Sequence, residues 1–161
     1  MIKPPPNSGR LVVHLPGNPV GQPRGRHVPA GKGRVRVVAV TDPAIVAYQK
    51  RLEEAMSAAA EDQGWERPEG PLGVWITAYF ATRDKMRWGL YCGKKPDRDN
   101  IDKLWLDCAG RAGLIYKKRD ERAAEGGVRK VWAPTGGVVA VFRSLEGVRV
   151  PEEPDDDLGA F

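Results

Sequence analysis

A chain of 161 residues with 41% hydrophobic content is long enough to bury one core and too short for several domains. Lys and Arg number 26 against 21 Asp and Glu, and the resulting +5 favours a polyanionic partner, nucleic acid first. Cys92 and Cys108 make no disulfide framework, neither pairs with His14 or His27 at zinc-finger spacing, and no apolar run is long enough to span a bilayer. The expectation is a reducing, cytoplasmic setting with no membrane partner.

Residues 1–9 read as a flexible leader. RLVVHLPG is a first strand closed by Pro16 and Gly17. A Gly, Pro and Arg-rich stretch follows without helical period, and its end, RVRVVAV (34–40), alternates basic and β-branched residues like a strand or hairpin arm. Thr41, Asp42 and Pro43 supply helix-start chemistry, and Ile45, Tyr48, Leu52, Ala55, Met56 and Ala59 recur at helical spacing until Gly64. LGVWITAYFATR (72–83) reads as a strand with Val74, Ile76, Ala78 and Phe80 on one face. DKMRWGLYCGKK is irregular and basic. A second helix is expected over 97–112, with Ile101, Leu104, Trp105 and Cys108 on one stripe. VRKVWA and GGVVAVFRSL then read as two antiparallel strands joined by PTGG. The order implies an α+β domain over 10–149, a small mixed or antiparallel sheet packed against two main helices. VPEEPDDDLGAF (150–161) reads as an acidic, disordered tail.

KKPDRDNIDKLWLDC (94–108) carries the chemistry. Within a helix, residues two apart diverge, whereas in extended chain they share a face. Pro96 opposes a helix running through Lys95, so Asp97 belongs to an extended lead-in from which it can converge with Asp99. Acids at a helix start also serve as caps, which explains one aspartate better than two. Asp99, Lys103 and Asp107 form an acid–base–acid ridge opposite the apolar stripe, and Asp120 and Glu121 follow in a charged loop. Carboxylates drawn from such separate places suit a hard divalent cation such as Mg²⁺ beside a phosphodiester. Lys103 would then hold a phosphate or neutralise transition-state charge, or else form an ordinary intrahelical ion pair.

KPDRDNIDKLWLDCAGRAGLI resembles the signature of RusA-like Holliday junction resolvases, many of them phage-encoded, and PGNPVGQPRGRH is similar to that family's early Gly/Pro/Arg segment. The resemblance runs over roughly 10–145. It implies a homodimeric, Mg²⁺-dependent endonuclease (Mn²⁺ a possible substitute) that cuts four-way DNA junctions symmetrically in recombination, repair or phage DNA processing. It matches Asp97 and Asp99 to metal-binding aspartates, Lys103 to the catalytic lysine, and Asn100 and Asp107 to supporting positions. Where the family carries an Asp-Asp pair, this chain has Lys117, Lys118 and Arg119. A short loop insertion would give the third carboxylate to Asp120, with Glu121 as the alternative.

Arg24, Arg26, Arg83, Lys85, Arg87, Lys94, Lys95, Lys117, Lys118 and Arg119 surround this centre and suit a phosphate-tracking surface, with Trp88 and Tyr91 placed to stack on bases or to pack at the core's edge. Lysines where acids are expected keep a second reading open, a structure-selective DNA-binding protein with lost or relaxed nuclease activity. A third is a nuclease acting on flaps or duplex.

Overall fold

The computed structural model describes residues 9–150 apart from 24, 39–41, 118 and 119; the side chains of Arg26, His27 and Asp120 also fall outside the description. Most of the leader and of the acidic tail, and the Thr41 cap position, thus lie outside the described residues.

The expected α+β architecture is present. Strand β1 (Arg10–Pro16), the pair β2 (Arg26–Pro29) and β3 (Val35–Val38), helix α1 (Pro43–Gln63), strand β4 (Leu72–Ala81), helix α2 (Arg98–Arg111), β5 (Ala123–Ala133) and β6 (Gly137–Ser144) follow in order. Four strands make a mixed sheet, β1-β6-β4-β5, and β2 pairs with β3 in a separate ribbon.

Alternation places the sheet's core face. Leu11, Val13 and Leu15 of β1, Val74, Ile76, Ala78 and Phe80 of β4, and Val138, Ala140 and Phe142 of β6 are all buried. The stripes of both helices, Tyr48–Leu52–Met56 and Ile101–Leu104–Trp105–Cys108, complete the same cluster. Asp42 caps α1 by accepting from Ala44 N–H, and Gly64 ends it in the left-handed conformation, φ 63°. Burial pushes the Cys108 thiol up to about 12, in keeping with a small core residue.

One expectation holds with an addition and one is corrected. The strands on either side of PTGG run antiparallel, as expected, but do not pair with each other: β4 lies between β5 and β6, parallel to the first and antiparallel to the second. The turn signal was real, but a turn fixes local direction and not the partner strand. Strand β5 also starts at Ala123 rather than Val128, taking in Gly126 and Gly127. At Gly126 (φ 130°) a Cβ would stand 1.8 Å from the Val74 carbonyl oxygen, so the residues that look like loop are what let β5 approach β4.

Trp105 is fully buried between the helices and the sheet. Trp105→Ala is expected to cost about 3–5 kcal/mol of unfolding free energy, read by urea denaturation at constant m-value.

Candidate active site at the start of α2

Asp97 stands immediately before α2 with extended backbone (φ −67°, ψ 152°), and Asp99 lies in the first helical turn. That is the geometry the proline predicts. Capping does not account for Asp97, because its side chain makes no capping hydrogen bond to the helix. Both aspartates are exposed, and α2 holds them rigidly because Ile101, Leu104 and Trp105 anchor its other face in the core.

The early Gly/Pro segment closes over this corner. Gln22 N–H donates to the Asn100 carbonyl at 2.8 Å. A Cβ on Gly21 would stand 2.7 Å from Cβ of Pro96 and 3.0 Å from Cβ of Asn100, so only glycine permits the approach. Gln22, Pro23, Lys95, Pro96, Asp97 and Asn100 together line a cleft of about 510 Å³. Asn100 thus ties the early segment to the helix that carries the aspartates.

Lys103, one turn beyond Asp99, is exposed, and Asp107 is half-buried further along the ridge. Asp102 is a carboxylate the sequence reading passed over. It lines a second cavity with Leu106, Glu125 and Gly126, and burial holds its carboxyl above the ordinary value against the opposing pull of Arg98. Its i+3 spacing from Asp99 was the available signal.

Asp120 and Glu121 follow α2 in a short turn, and the side chain of Asp120 falls outside the described residues. Helix α2 runs antiparallel to β5: Arg98 shares a cavity with Val128, Arg129 and Lys130, while Asp102 and Leu106 share one with Ala123–Gly127. The turn Asp120–Arg122 immediately precedes Ala123, on the side of α2 away from Arg98. Fourteen helical residues make α2 about 20 Å long. Lys117 lies at the same far end, against Gly110. Among the described residues, no group of three or more His, Cys, Asp or Glu side chains could hold a metal ion.

The remaining basic residues divide between regions. Lys94 and Lys95 are exposed beside the cleft, and Lys130 Nζ donates to the Lys94 carbonyl oxygen. Arg83, Lys85 and Arg87 are exposed on the loop after β4, where Arg87 pairs with Asp84 at 3.1 Å. In that loop Trp88 is held by its indole N–H donating to the Thr82 carbonyl at 3.0 Å, whereas Tyr91 stands 82% exposed. Arg24, Lys118 and Arg119 lie outside the described residues, as does the side chain of Arg26.

No protein of curated function matches the sequence. No helix among the described residues is long and apolar enough to cross a membrane. The family model for endodeoxyribonuclease RusA matches residues 16–141, a span that runs from the last residue of β1 through most of β6 and takes in the Asp97–Asp99 corner, the Gln22 segment and the Asp120 turn. The chain therefore belongs to the RusA endodeoxyribonuclease family and has that family's α+β fold.

Proposed function

We propose that the protein is a Mg²⁺-dependent, homodimeric nuclease that resolves four-way DNA junctions by paired, symmetrical phosphodiester cleavage. The observation that carries this reading is Asp97 in extended chain, lining an open cleft with exposed Lys95, followed by Asp99 in the first turn of α2 and exposed Lys103 one turn on.

The donor set fits a hard cation: two exposed carboxylates supply oxygen ligands, and Mg²⁺ takes one or two carboxylates while keeping several waters. Asp97 and Asp99 would hold it, and when bound it supplies positive charge at the phosphodiester and lowers the pKa of water. Lys103 presents an ammonium one turn from Asp99, where it can hold a phosphate oxygen and neutralise charge as the bond breaks. Asn100 and Gly21 keep the early segment seated on the helix, so that the cleft retains its shape.

A further element of this reading is that the third carboxylate, Asp120 or else Glu121, comes from a second copy. The roughly 20 Å along α2 favours it, because ligands of one Mg²⁺ stand about 2 Å from the ion. A twofold-symmetric dimer would then hold two composite sites facing strands of like polarity.

Cleavage of a four-way junction, a flap and a linear duplex under one condition tests the substrate. The junction is expected to be cut fastest. Equal rates on all three would replace junction resolution with a general nuclease, and binding without products at high Mn²⁺ would favour a DNA-binding protein that has lost catalysis.

A further inference from the structure

The protein's whole net positive charge lies in its first 41 residues. They hold seven Lys and Arg and no Asp or Glu, against 19 and 21 in the rest of the chain. The β2–β3 ribbon is the folded centre of that segment.

The ribbon carries little of its own stability. Strand β3 is exposed at every position, with Val35 and Val37 each 64% accessible on one face and Arg36 on the other. A lone two-stranded ribbon is marginal in water, and a pair of bare valines adds cost. The turn is nevertheless well specified: Gly31, Lys32 and Gly33 all take positive φ (79°, 47°, 69°), and Ala30 N–H donates to the Arg34 carbonyl at 2.8 Å. The ribbon's root is fixed as well. Gln22, bonded to Asn100 at the Asp97 corner, precedes β2 by four residues, a span of at most about 14 Å.

We propose that β2–β3 is a DNA-engaging arm. Lys32, Arg34 and Arg36 contact backbone phosphates, and the Val35–Val37 face meets base edges. A β-ribbon fits the major groove of a duplex, and long arginine side chains can reach round its edges to the phosphates. A polyanion is the occupant that the charge selects, because the segment holds no acid to repel it. The arm extends the junction-resolving reading by delivering one DNA duplex to the cleft at Asp97.

The test measures binding of a labelled four-way junction in EDTA across a salt series, with cleavage in Mg²⁺ assayed on the same preparations. Lys32→Gln/Arg34→Gln/Arg36→Gln is expected to weaken binding about tenfold or more and to flatten the log–log salt slope by about 2 to 3. Thermal unfolding is expected to be unchanged, because all three side chains are exposed. A triple variant with wild-type affinity and slope overturns the arm. So does a Val35→Ser/Val37→Ser variant that changes oligomeric state and leaves DNA affinity intact, since a second copy would then cover that face. If the wild type binds without cutting and the triple variant still loses affinity, the arm stands and the resolvase reading falls. If the wild type does not bind the junction, both fall.

Discussion

Asp97→Asn/Asp99→Asn is expected to lower junction cleavage at least about a thousandfold while leaving junction binding within a few-fold of wild type. Two exposed carboxylates, Asp97 lining the cleft and Asp99 in the first turn after it, are the hard oxygen donors the reading relies on, and losing several kcal/mol of charge stabilisation corresponds to that factor in rate. The amide is nearly isosteric, so the loss would be one of charge and not of shape. Asp97 makes no capping bond to the helix, and neutralising Asp99 weakens an interaction of about 0.3–1 kcal/mol with the helix N-terminus, so thermal unfolding is measured on the same double variant. Single-turnover cleavage beside binding in EDTA separates the two quantities. Wild-type rates in the double variant would remove the catalytic assignment.

Mixing two inactive variants is expected to restore nicking. If Asp97 and Asp99 of one copy work with Asp120 of the other, a heterodimer of Asp97→Asn/Asp99→Asn with Asp120→Asn contains one intact site and one doubly disabled site. Random subunit exchange makes half the dimers mixed, so about a quarter of wild-type sites recover. The product would be a nicked junction and not a resolved one, because each mixed dimer has a single working site. If all three carboxylates act within one chain, every site in the mixture is defective and no products appear. Asp120→Asn/Glu121→Gln in place of Asp120→Asn covers the alternative assignment.

The sequence exposed those parts of the molecule whose physics is local. Pro96 and the Ile101–Leu104–Trp105–Cys108 stripe place Asp97 in extended chain and Asp99 in the helix. Asp42 and Gly64 mark both ends of α1, and the alternation in β4 gives its buried face. Pairing was less legible. Nothing in PTGG reveals that β4 intervenes between β5 and β6, because strand insertion depends on contacts far along the chain. The reach of Asp120 is illegible for the same reason: it stands 23 residues after Asp97, with the whole of α2 between them. Asp102 is harder to read because it stands off the acid–base–acid ridge, on a neighbouring face of the helix. Its half-burial depends on Glu125, Gly126 and Gly127, which the sequence presents as loop.

The central claim is that carboxylates at the start of α2 work with a divalent cation on branched DNA. Incubating the wild-type protein with an end-labelled four-way junction in Mg²⁺, and again with excess EDTA, tests it most directly. The expected result is paired incisions at symmetrical positions in two strands of like polarity, seen only with the metal. A junction that is bound but stays intact in Mg²⁺, or is cut equally well in EDTA, would contradict it.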